Sequence, residues 1–502
     1  MPPAQSYELL PRNSAEHDQV EFKDKPIPRR RNTFFLLLRK VRKLCKPIYL
    51  FVAWVVFLLL QVTFNASYVT GLPFEISKDE SVFIAANIID GDLMNGTWGS
   101  SVLELVELIG RERVFISVYG GPPEALKAFE ERLPKEVARS IVSEKQSPIT
   151  LSKIPHTKLP TGEERIKRIA FLAEVRNKAL EPLEKSKTPY DKLLFINNVI
   201  FKAEDATRLL WGTNVNSEGK ADYKAACGTD FITSWKYYDT YATRDYEGYS
   251  IGVPIFPWFA NVGQDARSRR DVLAGRDAVR VKSCWGGMVA FDARYFQKPL
   301  AGAAVTAGTS SLPLRFRSEP DPFWDASECC LIHADILAIP PMSPSGQSKL
   351  GVDGGIFMNP YVRVSYDATT FKFIPLAKRF ERLFALPQDI ISRLAKLPRF
   401  NYRRGEKEGQ KVKDRVWIAN KQDEKKKGWK DILGIGKRAT LGAGEVKDKK
   451  YWAQQGHYED FERTATKGGY CGVRQLLVLK KQDDKEPGNW DNLLDKVPPL
   501  EV

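Results

Sequence analysis

Cysteine and histidine are scarce in this chain, six and four residues among 502. They fall in no CxxC or mixed Cys/His spacing, so the sequence offers no structural zinc site. A small-residue cleavage site is missing after the hydrophobic run that ends at Phe64. That absence argues against a removed signal peptide, as does the long polar lead before the run. Acids are fewer than bases, 62 against 77, which leaves a net charge of +15. A surplus of this size is one signature of a nucleic-acid binder. Here it is uneven: residues 403–450 hold 16 Lys and Arg against 8 Asp and Glu. Just over half of the excess therefore lies in one Gly- and Lys-rich segment. With the membrane address described next, it gives no nucleic-acid partner.

What is present begins with that address. Ile48 to Phe64 is 17 residues without a charge, at the short end of the roughly 17–25 that cross a bilayer as a helix. Residues 23–46 before it carry ten Lys and Arg and one acid, whereas residues 65–80 after it carry one Lys and three acids. The positive-inside rule keeps the N-terminus cytosolic and sends the remainder across. The expected product is a single-pass type II protein of the Golgi or endoplasmic reticulum membrane, with its bulk in the lumen. Asn95-Gly-Thr97 then becomes a glycan acceptor, while Asn65-Ala-Ser67 lies too near the bilayer for use. Tyr7 to Leu10 has the form of a cytosolic sorting signal, and Cys45 stands at the membrane edge, where palmitoylation occurs. The other cysteines, Cys227, Cys284, Cys329, Cys330 and Cys471, allow up to two disulfides and one thiol in an oxidising lumen.

Beyond the anchor, apolar runs and helical periodicities alternate. Ser81–Ile88, Arg113–Gly121 and Leu193–Asn197 read as strands. Gly96–Gly110, Pro122–Leu133, Glu163–Lys185 and the stretch from Glu204 to Gly212 read as helices. Such alternation predicts an α/β domain with a mostly parallel sheet covered by helices. After Gly212 the pattern loosens: Ala225–Ile232 and Gly286–Ala293 are further strands, and Phe371–Leu397 holds one or two helices. Residues 401–450 read as a disordered insertion, and Gly468–Leu479 as a late returning strand. Trp235, Tyr237, Tyr238, Tyr241, Trp258 and Phe259 lie in the loose region, where core packing is the commoner use of such rings.

Eight fragments carry a family pattern: RIKRIAFLAEVRNKALEPL, LLFINNVIFKAED, AACGTDF, YYDTYATRD, SCWGGMVAFDA, LPLRFRSEPD, SECCLIHADI and GGYCGVR. In this order, behind a type II anchor, they resemble the fungal mannosyltransferases of glycosyltransferase family 69, the cryptococcal capsule-associated α-1,3-mannosyltransferase type. The resemblance spans roughly Ser81 to Leu479. It implies a GT-A-like, Rossmann-type nucleotide-sugar-binding sheet, and transfer of mannose from GDP-mannose to a glycan acceptor. The expected organisation is a cytosolic basic tail (1–46), an anchor (47–64), a lumenal stem (65–80) and the GT-A-like domain (81–375). A C-terminal extension (376–502) follows, with the basic insertion 401–450 and the family-like return 468–479.

A nucleotide sugar leaves an anionic diphosphate, and enzymes of this fold neutralise it with Mn²⁺ or Mg²⁺ held by oxygen ligands at a strand end. Ligands of open α/β sheets bind at strand ends of this kind. Here Asn197 and Asn198 occupy that position. The resemblance implies Asn-Asp-Val where this chain has Asn197-Asn198-Val199, so an uncharged amide replaces the expected carboxylate. Three accounts stay open: nearby acids such as Glu204, Asp205 and Asp230 supply the site; cations hold the phosphates; or the chain is catalytically weak. Candidate donor-binding residues are Arg176, Asn197, Asn198, Asp205 and Asp230, and candidate metal ligands are Asn198, Asp205 and His333. Arg176 is singled out because a guanidinium fork matches phosphate, ahead of Arg165 and Arg168. Trp285, Gly286 and Gly287 are candidate acceptor contacts, an indole face beside glycines that let a backbone approach a ligand. Glu328 and Asp292 are the candidate catalytic carboxylates; Asp335 is acidic company for His333, and Asp321 and Asp325 are nearby acids with weaker claims. A non-enzymatic sugar-binding or scaffold subunit of a glycan-assembly complex is the alternative function, motivated by Asn198.

Overall fold

Strands whose residues point alternately to opposite faces form the frame of the protein. The computed structural model describes residues 40, 47–299, 312–339, 354–419, 456–481 and 489–494. The Tyr7–Leu10 motif, Cys45 and most of the basic tail lie outside them.

The chain divides into a first unit, ending at Leu60, and a second, Gln61–Val502. Helix α1, Pro47–Phe64, is long and apolar enough to cross a membrane.

In the second unit a ten-stranded sheet is built from β1 (Val82–Asn87), β2 (Val114–Tyr119), β3 (Ala138–Val142), β4 (Lys192–Ile196), β5 (Ala225–Thr233), β6 (Lys236–Tyr237), β7 (Arg244–Asp245), β8 (Val279–Ser283), β9 (Met288–Asp292) and β10 (Ile356–Ser365). Their spatial order is β3-β2-β1-β4-β9-β5-β10-β8-β7, with β6 paired to β5. The half from β3 to β4 is parallel. Beyond it the sheet is mixed, because β9 runs antiparallel to both β4 and β5 while β10 is parallel to β5. The α/β class read from the sequence is thus the class found; the sheet is parallel in one half only.

Helices α2 (Thr97–Ile109), α3 (Pro123–Arg132), α4 (Arg168–Lys185) and α5 (Ala203–Trp211) cover the sheet. Two apolar layers result. Phe83, Leu193, Phe195, Val289 and Phe291 point to one, and Ile84, Leu194, Ile196, Met288 and Ala290 to the other. Helix α4 begins later than its periodicity predicts. Gly162, at a φ of +85°, turns the chain so that Glu164–Ile166 pairs with His156–Lys158. These residues join a hairpin rather than a first helical turn.

Further along are α6 (Glu328–Ala338), α7 (Ala368–Ala377) and α8 (Ala385–Leu394). Residues 411–419 and 456–464 form a regular antiparallel hairpin, so the part of the expected insertion from Tyr402 to Ala419 is ordered. Residues 420–450 lie outside the described set. The return segment is a 3-10 turn at Gly469–Cys471, a short strand Gly472–Val473 against Asp325–Ala326, and Leu477–Leu479 against Trp490–Asn492. Two disulfides, Cys227–Cys284 and Cys330–Cys471, leave Cys329 as a buried thiol.

Candidate active site

Because β9 is reversed, the C-terminal ends of β1, β4, β5 and β10 share one sheet edge with the turn that leads into β9. Asn87, Asn197–Asn198, Asp230, Tyr366 and Gly286–Gly287 therefore meet there. The turn is shaped by close backbone approach. Gly286 and Gly287 have φ of +58° and +71°. A Cβ at Gly286 would lie 2.0 Å from the Gly228 carbonyl oxygen, and one at Gly287 would meet Val364, Val199 and Asp230. Only glycine fits both the dihedral and the space. Asn197 donates its backbone N–H to the Gly287 carbonyl at 3.0 Å, which locks the end of β4 to the turn.

Asp239, in the loop after β6, organises the other side. Its Oδ2 accepts from the backbone N–H of Trp285 (2.9 Å) and Gly286 (3.3 Å) and from the Thr243 hydroxyl, and its Oδ1 accepts from Ala242 N–H. The Asp239 N–H in turn donates to Asp230 Oδ1 at 3.1 Å, and the Tyr366 hydroxyl donates to Asp230 Oδ2 at 2.7 Å. Asp230 is buried and held by neutral donors. Burial, then the neighbouring Asp239 carboxylate, raises its pKa to about 7. The Oδ1 atoms of Asn198 and of Asn87 are buried without a hydrogen-bond partner. Buried polar atoms are nearly always paired, so such orphans mark places where a ligand atom can complete the set.

Arg176, on α4, closes the site from the side. Its Nε donates to Glu328 Oε1 at 3.0 Å and its Nη1 to Asn197 Oδ1 at 3.3 Å. Its guanidinium lies 4.3 Å from the centre of the Trp285 ring, with Phe195 and Phe316 around it. Glu328 is buried in the first turn of α6, where the helix dipole favours a carboxylate. A continuous chain of contacts runs from Asp230 through Asp239, Trp285 and Arg176 to Glu328 and Asn197.

The structure thus brings together Arg176, Asn197, Asn198, Asp230, Gly286, Gly287 and Glu328; of the four other candidates it carries Asp292 to the opposite end of the strands, gives Asp205 and His333 other partners, and keeps Trp285 at the site with its ring covered. Asp292 ends β9 opposite Lys192, the first residue of β4, so strand reversal carries it to the far edge. There it pairs with Arg294 at 2.6 Å and accepts from the Arg294 N–H. Asp205 stands in the first turn of α5, where burial raises it to about 6 and Lys378, Lys202 and Arg208 are its charged neighbours. His333 is wholly buried, its Nδ1 against the Cys329 carbonyl at 2.7 Å and its Nε2 4.0 Å from Cys227 Sγ. Burial lowers it to about 4. That cysteine is in a disulfide with Cys284 and offers no thiolate. Trp285 is 4% exposed, its ring covered by Arg176 and neighbouring aromatics, and presents no open face to a sugar.

Of the secondary acids, Glu204 is exposed in the first turn of α5, and Asp321, Asp325 and Asp335 pair with Arg403, Lys167 and Arg317. Asn95 is exposed at the end of a short helix, Gly91–Asn95.

Asp239, Tyr366 and Asn87 are site residues that sequence reasoning missed. Asp239 lies inside the fragment YYDTYATRD, an acid among aromatics, and that was its only signal. Of the rings in that region, Tyr237, Trp258 and Phe259 are core, whereas Tyr238 is half exposed and packs 4.7 Å from Tyr366 at the rim. A groove of about 1090 Å³ is lined by Tyr241, Arg244, Tyr249, Trp324, Arg404 and Tyr470 among others.

Residues 81–335 match the protein family described as Cryptococcal mannosyltransferase 1. No curated protein matches the chain. Among solved structures, similarity is found to a mannosyltransferase from Pyrobaculum calidifontis in complex with GDP-Man and Mn²⁺, at 11% identity and a TM-score of 0.30, covering 70% of this chain and 85% of that one. It is found also to glucosyl-3-phosphoglycerate synthase from Mycobacterium tuberculosis in complex with Mn²⁺, UDP and phosphoglyceric acid. There the identity is 12% and the TM-score 0.28, over 69% of this chain and 89% of that one.

Proposed function

The chain belongs to the Cryptococcal mannosyltransferase 1 family, and from that premise we propose that it transfers mannose from GDP-mannose to a glycan acceptor, in α-1,3 linkage and with retained configuration. The observation that carries the reading is the convergence, at one edge of a GT-A-like sheet, of an orphaned amide oxygen, two linked aspartates and a guanidinium–carboxylate pair.

Asn198 Oδ1 and the Asp230 carboxylate are hard oxygen donors of the kind that suit Mn²⁺ or Mg²⁺. They are the groups that would hold such a cation, and when bound it offsets charge on the departing diphosphate. Asp239 keeps the Trp285–Gly286 turn in place and, through its N–H, fixes the Asp230 carboxylate. Arg176 orients Glu328 and Asn197. Glu328 is the carboxylate on this edge best placed to face positive charge developing on the transferred sugar. Asp292, Asp205 and His333 take no part in this assignment.

The basic tail, the apolar span and the two disulfides support a type II protein in the Golgi or endoplasmic reticulum membrane with its transferase domain in the lumen, since disulfides form in oxidising compartments. Exposed Asn95 is then its glycan acceptor.

Full-length protein incubated with labelled GDP-mannose, Mn²⁺ and mannobiose is expected to yield a labelled trisaccharide that an α-1,3-specific mannosidase cleaves. A different observation favours a second reading, a non-catalytic sugar-binding subunit of a glycan-assembly complex: Asn198 brings no charge to the strand end where the family resemblance implies a carboxylate. Intact GDP binding with neither transfer nor donor hydrolysis would establish that reading instead.

A further inference from the structure

Helix α8 is built the wrong way round for a surface helix in water. Its polar residues Gln388 and Ser392 are 0% and 1% exposed, while Leu386 and Leu394 on the other side are 69% and 79% exposed. The buried polar face is fully engaged. Gln388 Nε2 donates to the Trp258 carbonyl at 3.1 Å, its Oε1 accepts from Arg269, and Ser392 Oγ accepts from Val253 N–H at 3.0 Å. The apolar stripe Leu386, Ile390, Leu394 recurs at helical spacing with Ile391 beside it, and α7 adds Phe373 and Leu376, all exposed. Contiguous apolar faces of this kind are rare on soluble proteins and mark an interaction surface.

Two further observations say what covers it. Hydrogen bonds tie its connecting segment to residues 61 and 67 of the second unit. Gln61 Nε2 donates to the Arg379 carbonyl at 3.4 Å, and Ser67 N–H donates to the Lys378 carbonyl at 3.0 Å, so the segment joining α7 to α8 is bonded to the residues that leave the bilayer. The charge also matches. Residues 368–400 carry seven Lys and Arg against two acids. Both acids are paired, Glu381 with Arg363 and Asp389 with Arg393. Lys372, Arg379, Arg393, Lys396 and Arg399 are exposed beside the apolar residues, the arrangement of a helix lying in a phospholipid interface, with long cations reaching to headgroup phosphates.

We propose that α7 and α8 form a second membrane-binding element, a lipid-facing platform that lies in the leaflet where α1 ends and holds the transferase domain against the bilayer by its Leu386–Leu394 face. The proposal rests on the reading of α1 as a membrane span.

The test uses the full chain, with Cys45→Ser to remove the tail thiol, reconstituted in phosphatidylcholine vesicles containing phosphatidylinositol. A nitroxide is placed in turn at Leu394→Cys, at Phe57→Cys in α1 and at Lys127→Cys on exposed α3. Collision with oxygen is compared with collision with a water-soluble nickel complex. The expected result is oxygen-dominated, nickel-protected spectra at both 394 and 57, and nickel-dominated spectra at 127. Lipid exposure at 57 with water exposure at 394 would overturn the platform and leave the anchor standing. Water exposure at 57 would remove both. Dipolar broadening between labels at 394 that disappears on dilution with unlabelled chain would assign the face to a second copy, and would equally overturn the proposal.

Discussion

Asp230 and Asp292 sit near the ends of adjacent strands, β5 and β9, and are chemically unlike. Asp292 is bonded to a guanidinium and caps the turn that follows it. Its charge is already answered. Asp230 is wholly buried, held by a backbone N–H and a phenol, and its pKa lies near neutrality. A carboxylate with only neutral donors is one that a cation can still stabilise. The difference teaches that strand direction, rather than distance along the sequence from a motif, decides which acid belongs to the site.

The largest effect that would sharpen this contrast comes from the pair that closes the functional edge. Replacing Arg176 with Ala leaves buried Glu328 uncompensated, which costs about 3–5 kcal/mol for a buried pair. A denaturant-unfolding midpoint unchanged from the parent would mean that Glu328 is solvated and the site more open than described. Next is Asp230→Asn. Transfer is expected to fall by about 100-fold or more, the scale of losing one electrostatic group at a reacting centre. The same change should stabilise the cation-free protein more at pH 8 than at pH 5. The sign follows from the raised pKa: the folded state favours protonated Asp230, so ionising it costs stability as pH climbs from the unfolded carboxylate value of about 4 toward 7. Equal melting shifts at the two pH values would show that Asp230 is not raised.

A smaller change is expected from Asn198→Asp, which puts a charge in place of the unpaired amide oxygen. Half-saturation by Mn²⁺ should shift about tenfold lower, in keeping with one added close charge; an unmoved titration curve would detach Asn198 from any cation. Smallest is Asp292→Asn, which keeps the turn cap and loses a partly exposed ion pair worth about 0–1 kcal/mol, with transfer unchanged. A large loss of transfer there would erase the contrast between the two edges.

The first half of the domain was legible because each element carries its own periodicity. Strands at 82–87, 114–119 and 192–196 and the helices between them follow from apolar spacing alone. Legibility declined where partners are remote. Strand β10 contains Pro360 and Arg363 and has a register shift between Met358 and Arg363, so nothing local announces a buried central strand. The Lys-containing 411–419 stretch reads as solvated chain until its partner, separated from it by 36 residues, is known. Part of the site was visible for the same local reason: Asn197–Asn198 stand where β4 ends, and Asp230 is the acid in the latter half of the apolar strand β5. Asp239 was not, because its role is to collect the backbone N–H groups of Trp285 and Gly286, which only tertiary structure brings within reach. Asp292 and His333 were misplaced for a related reason. Spacing names a residue type and its neighbours, but not the direction of a strand or the depth of a helix face.

The bond between Cys330 and Cys471 joins the first turn of α6, two residues from Glu328, to a segment 141 positions later. A protease cut within residues 420–455 would therefore give two fragments that travel as one band on a non-reducing gel and separate only after thiol treatment. Harsh reduction, by the same logic, would free the base of the helix that presents Glu328 from its covalent tether to the tail end of the chain.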